Sequence, residues 1–172
     1  ANSVEQIVGA LNWLIDIGFT GLVFVDTAGF GDAASLYMVN NSDYVVLPIM
    51  LGTDAVETTM ETANVVMQMV EKSTNKNQTV VKVVRCNIPT ESARSKGRSE
   101  VLDEIGKNPL CLQACIRHSS IIELWSDEGP LHSRFKREKE TKEGAKALNA
   151  KNTYKVLEDG MNVINELFEE AE

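Results

Sequence analysis

Apolar and polar residues follow two rhythms along this chain. From Ser3 to Ile17, Val4, Ile7, Val8, Leu11, Leu14 and Ile15 recur at the spacing of one helix face, with Ser3 as a candidate N-cap and Gly18 as a stop. Three continuous apolar runs then appear: Leu22–Val25, Tyr44–Ile49 and Val80–Val84. Unbroken runs of this length suit strands buried on both faces, as in a parallel sheet. Helical patterns near Ala33–Asn40 and Ala55–Lys72 separate them. Strands alternating with helices of this length predict βαβ units joined by right-handed crossovers.

Beyond Pro89 the strand pattern thins. A helix is predicted around Lys96–Lys107, a short strand near Leu110–Leu112 and a helix around Ser120–Trp125. Ser133–Glu170 reads as one or two surface helices, with Gly144 and Gly160 as breaks. Ser73–Gln78 is a polar loop, too short to divide the chain, and no internal repeat is present. The expectation is an α/β fold: one domain over 1–172, with a mainly parallel sheet flanked by helices. Its centre is set by the strands at Leu22, Tyr44 and Val80.

Composition narrows the functional classes. Hydrophobic residues make up 43% and charged residues 24%, a globular balance. No apolar run approaches the length of a membrane span, and no signal peptide is visible. The absence of an initiating Met suggests a fragment or a trimmed chain. Three cysteines, Cys86, Cys111 and Cys115, are too few for a disulfide framework and fit a reducing cytoplasm. The net charge of -8 argues against bulk attraction to nucleic acid. The charge is uneven, however. From His132 to Lys155 eight basic residues (Arg134, Lys136, Arg137, Lys139, Lys142, Lys146, Lys151 and Lys155) face three acids, and six acids with no base follow. The basic segment is either a solvated helix face or a surface for DNA phosphates, and it lacks the aromatic interleaving of a base reader.

Candidate chemistry gathers at the predicted strand ends. Asp26 follows the first apolar run, and the C-terminal edge of an open α/β sheet is where ligands bind. A carboxylate there can hold a Mg²⁺-bound water, and Gly29 lets the backbone approach a terminal phosphate; alternatively, Asp26 only begins a turn. Asp43 would cap the start of the second strand, and Thr53 or Asp54 the helix from Ala55. Asn87, three residues beyond the third run, can offer a donor and an acceptor to an adenine edge, or form a turn before Pro89. Cys111, Cys115 and His118 have helical metal-ligand spacing, with a structural thiol pair as the blander reading. Met50, Met60, Met67 and Met69 read as core filling. Ser119 and Ser120 have only His118 beside them as a base.

Phe24-Val25-Asp26-Thr27-Ala28-Gly29 resembles the strand end that holds Mg²⁺ in ParA/MinD-type P-loop ATPases, and also that of signal-recognition GTPases. The GTPases would carry a later Thr/Asn-Lys-x-Asp motif. Asn75-Lys76-Asn77-Gln78 and Thr141-Lys142-Glu143-Gly144 both lack its Asp, which disfavours GTP. Ser42-Asp43 before a strand ending in Pro48, Arg85-Cys86-Asn87 after the next strand, and Ile116-Arg117 with Glu128-Gly129-Pro130-Leu131 follow the ParA/MinD order. The resemblance covers roughly Leu22 to Leu131. It implies ATP and Mg²⁺, with Asp26 catalytic and metal-binding, and Gly29, Asn87 and Arg117 contacting the nucleotide. It further implies a homodimer, non-specific DNA binding through Arg134, Lys136 and Arg137, a ParB-like activator protein, and a cytoplasmic role in plasmid or chromosome partition or cargo positioning, with no membrane partner. The family's Gly-rich loop occurs nowhere in the chain and would lie upstream of Ala1; without it a triphosphate has no cradle. The chain alone is therefore expected not to hydrolyse ATP. The alternative is a non-enzymatic ParA-like dimerisation or adaptor module.

Overall fold

The computed structural model describes residues 3–27, 31–50, 53–72, 79–89, 95–120, 136 and 144–169. In chain order its elements are α1 (Ser3–Asp16), α2 (Ala33–Asn41), β1 (Tyr44–Met50), α3 (Thr53–Lys72), β2 (Val80–Ile88), α4 (Lys96–Gly106), β3 (Cys111–Arg117) and α5 (Gly144–Glu169). The fold is α/β. Its sheet has three parallel strands in the order β1-β2-β3, with helices between successive strands.

The position of β2 follows from its sequence. Val81, Val83, Val84 and Ile88 are all buried, on both faces of the strand, as a central parallel strand requires. β1 buries only Ile49 fully and exposes Val46 and Met50, and its Pro48, which cannot donate to a ladder, stands on a strand at the sheet's margin. No helix among the described residues is long and apolar enough to cross a membrane.

The described chain divides into two compact units, 1–45 with 61–81 and 46–60 with 82–172. In the first, Asp32 caps α2: its backbone is extended and its carboxylate accepts from the Ser35 N–H at 2.6 Å. That bond holds the Asp32 carboxyl below the usual carboxylate range. Ser42 closes the same helix, donating from Oγ to the Met38 carbonyl at 2.6 Å. The starts of β1 and β2 are joined here by Val80 N–H to the Asp43 carbonyl at 2.9 Å and Thr79 Oγ to the Ser42 carbonyl at 2.9 Å. Ala63 and Val66 of α3 are wholly buried. In the second unit, β3 packs against α4 and, more extensively, α5.

The helices fall close to the predicted spans, and four expectations need correction. Leu22–Val25 is not a strand; it is irregular and exposed, with Phe24 at 77%. A run apolar on both faces becomes a strand only when neighbours take up its N–H and C=O groups, and among the described residues it joins no sheet. Cys111 and Cys115 lie on a strand, which removes the helical spacing read as a metal motif. Finally, α5 runs unbroken through Gly160. Thr53 and Asp54, expected as caps, are the first two residues of α3. Past Ser120, the helix expected to Trp125 lies outside the described residues.

Candidate functional site

The C-terminal ends of β2 and β3 bring together the residues with most chemistry. The two strands pair in parallel through Val83 with Cys111, Arg85 with Cys115, and Ile88 with Arg117. Between the first two pairs β2 advances two residues and β3 four, so β3 bulges at Leu112–Ala114. The bulge frees backbone groups, and side chains take them up. Arg85 Nη2 donates to the Leu112 carbonyl at 3.2 Å and the Gln113 carbonyl at 2.7 Å. The N–H groups of Gln113 and Ala114 donate to the two carboxylate oxygens of Glu166, each at 2.6 Å. Consecutive N–H groups of a regular strand point opposite ways, so one carboxylate can collect both only at such a bulge. Arg85 Nε is buried with no hydrogen-bond partner.

At the tip, Asn87 has φ of 57°, a left-handed conformation that Asn tolerates better than most residues. Its Oδ1 lies 2.6 Å from His118 Nδ1. An amide oxygen only accepts, so this contact sets the proton on Nδ1 and leaves Nε2 with a free lone pair when the ring is neutral. The His118 backbone N–H donates to the Ile88 carbonyl at 2.8 Å. Both side chains are exposed.

Beside them, Arg117 is held by α5. Its Nε donates to both Asp159 oxygens at 3.0 Å, its Nη2 to Oδ1 at 2.6 Å, and its backbone N–H to Oδ2 at 3.0 Å. Glu158 stands 3.8 Å from the same Nη2. The Asp159 bonds push the guanidinium above its ordinary pKa, outweighing desolvation. Asp159 is 5% exposed, a buried carboxylate whose bonds among the described residues come from Arg117.

The cysteines are free thiols. Burial pushes the Cys86 thiol up, and Cys115 adds to the rise. Burial also raises the Cys111 thiol, partly offset by Arg85 and Lys82. Burial of this kind disfavours the thiolate, the nucleophilic form, at Cys86 and Cys111.

Of the predicted site residues, Asn87 and Arg117 stand at neighbouring strand ends, and the Arg117 guanidinium faces Asp159. Asp26 is exposed and outside any strand. Gly29, Arg134 and Arg137 lie outside the described residues, while Lys136 is helical and exposed. Comparison of the chain with protein-family models, curated proteins and solved structures gives no match.

Sequence reasoning missed Asp159 and Glu166, and named Arg85 only within the family motif, not as a partner of β3 carbonyls. A signal for the two acids was present. Asp159, Val163, Glu166 and Leu167 fall at i, i+4, i+7 and i+8, so two carboxylates share a stripe with residues that are buried. An acid on the apolar stripe of a helix needs a donor across the contact.

Proposed function

We propose that this chain is the C-terminal part of a ParA/MinD-type P-loop ATPase, with the ends of β2 and β3 facing the base of the nucleotide. The observation that carries this reading is the Asn87–His118 pair at the C-terminal edge of two adjacent parallel strands. The family resemblance points to Asn87 as an adenine contact on separate grounds. Because His118 occupies Oδ1, the Asn87 amide offers its NH₂ donors to a ligand, which suits ring nitrogens such as adenine N1 or N7.

The described residues do not fit a Mg²⁺–triphosphate. The chain has no Gly-rich phosphate loop, Asp26 ends no strand, and no cluster of three His, Cys, Asp or Glu among the described residues could hold a metal ion. Hydrolysis is accordingly assigned to none of them. In this reading the phosphate loop and Mg²⁺ site come from sequence upstream, and Asp26 and Gly29 join them only in the assembled protein. That protein would dimerise on ATP, bind DNA without sequence preference through Arg134, Lys136 and Arg137, respond to a ParB-like activator, and position a plasmid, chromosome or other cargo in the cytoplasm.

The test is an NMR titration of the chain with adenosine. Shifts confined to Asn87, His118 and their strand neighbours are expected; shifts elsewhere, or none, overturn the base-side reading. Mg²⁺-dependent ATP turnover by the 172-residue chain would overturn the assignment of the phosphate site to upstream sequence.

A second reading, a non-enzymatic dimerisation or adaptor module, draws on the large apolar side chains exposed between Trp13 and Val25. Concentration-dependent association that nucleotide leaves unchanged would favour it.

A further inference from the structure

A line of hydrogen bonds runs from the middle of α5 to the tip of β2. Asp159 binds both the backbone N–H and the guanidinium of Arg117. The next residue, His118, is tied through its backbone N–H to Ile88 and through Nδ1 to Asn87. Arg117 therefore has a fixed peptide on each side: its ladder partner Ile88 ties both, and Asp159 adds a second bond to the one before it. Its dihedrals are set, and with them the direction in which His118 leaves the strand. Asn87 at the far end keeps a sparsely populated backbone conformation, which persists only where surrounding contacts over-determine it.

We propose that Asp159 is a positioning residue for the strand-end site, transmitting the seating of α5 to His118 and Asn87 through Arg117. The inference rests on reading that edge as the ligand-contacting one. Its physical core is that, among the described residues, the bonds of Asp159 go to Arg117 and not to Asn87 or His118. Release of Asp159 leaves the peptide before Arg117 on its ladder bond to Ile88 alone and takes the carboxylate from the Arg117 guanidinium. A partner that shifted α5 would then loosen the Asn87–His118 pair without approaching it.

Ordinary helix docking predicts something different, and the molecule contains its own control. Glu166 joins the same helix to the same strand with two bonds at 2.6 Å, but at Gln113 and Ala114, short of the tip. If Asp159 only fastens α5, removing either carboxylate should affect the tip alike. If Asp159 positions the tip, only its removal should.

The experiment uses the full 172-residue chain labelled with ¹⁵N, at about pH 8 where a free imidazole is neutral. The His118 ring nitrogens report the tautomer, and the Asn87 side-chain amide reports its bond. The parent chain is expected to show the Nδ1–H form. Asp159→Asn should average the two tautomers and move the Asn87 amide to its free position; Glu166→Gln should leave both in place. Arg117→Lys, which keeps the cation and removes the Nε donor, should repeat the Asp159→Asn result, and it decides the matter if Asp159→Asn does not fold. A fixed tautomer in both tip variants overturns the proposal, as does an equal loss in Glu166→Gln. Adenosine added to the parent separates this outcome from the nucleotide reading. Silence at Asn87 and His118 sinks that reading and leaves the positioning result standing.

Discussion

β3 and Leu22–Val25 both carry apolar sequence suited to a strand, and only β3 is one. β3 has β2 on one side and the carboxylates of α5 on the other, and Cys111 and Leu112 are buried. Leu22–Val25 is the more uniformly apolar of the two, yet it lies exposed and irregular. The difference teaches that apolarity does not make a strand. Backbone N–H and C=O groups need partners, and β3 obtains them from Arg85, Glu166 and Asp159 where the regular ladder fails.

The comparison can be broken hardest at Asp159. Asp159→Asn removes a buried carboxylate that accepts from both backbone and guanidinium, and Arg117 can recover part of the loss by hydration. A cost of about 2–3 kcal/mol is expected in denaturant unfolding. The pH dependence has a definite sign. The folded Arg117 pKa is raised, so its contribution is complete below the unfolded guanidinium value and falls only as pH rises through the folded one. Stability between pH 6 and 9 should therefore show no step from Arg117, and such a step, abolished by Arg117→Lys, would contradict the pairing.

A smaller effect is expected behind the bulge. A Cβ at Gly106 would meet Arg85 Nη1 at 3.0 Å, and that guanidinium is pinned to two carbonyls of β3. Gly106→Ala should cost roughly 1 kcal/mol through this crowding, against the gain an exposed helical Ala usually brings. A stabilised variant would mean that the bulge does not depend on Arg85.

In the other unit, Asp32→Ala should fray the first turn of α2, seen as faster amide exchange at Ser35 and Leu36. The Asp32 pKa is depressed, so its contribution is present above the unfolded carboxylate value and lost as pH falls through the folded one. Acidification of the parent should reproduce the variant's exchange. The smallest effect belongs to Phe24. Phe24→Ser should change unfolding stability by less than about 0.5 kcal/mol and lower any self-association seen by sedimentation. A large loss of stability would show that this stretch is buried in solution.

Much of the fold was legible because it is written in period. The helix over Thr53–Lys72 and the strands at Tyr44 and Val80 follow from apolar spacing. β3 was legible only in part. Gln113 interrupts its pattern, and the residues after it are held by groups more than forty positions away in sequence. Leu22–Val25 misled because a local run carries no information about whether a neighbouring strand exists. At the site, Asn87, which lies within β2, was visible in the sequence as a polar residue beyond an apolar run. Its pairing with His118 was not, because a bulge and a left-handed residue decide which side chains meet. The pairing of Arg117 with Asp159 was hidden in the sequence as well, because the two stand 42 positions apart.

The way α5 grips β3 has a consequence for how this protein can vary. Glu166 holds Gln113 and Ala114 by their backbone N–H groups. The contact is therefore indifferent to which side chains stand at those two positions. Drift there should be tolerated across small, polar and apolar residues alike, with one exception. Proline has no N–H to give, so a single Pro at 113 or 114 would undo a docking that most other substitutions leave untouched.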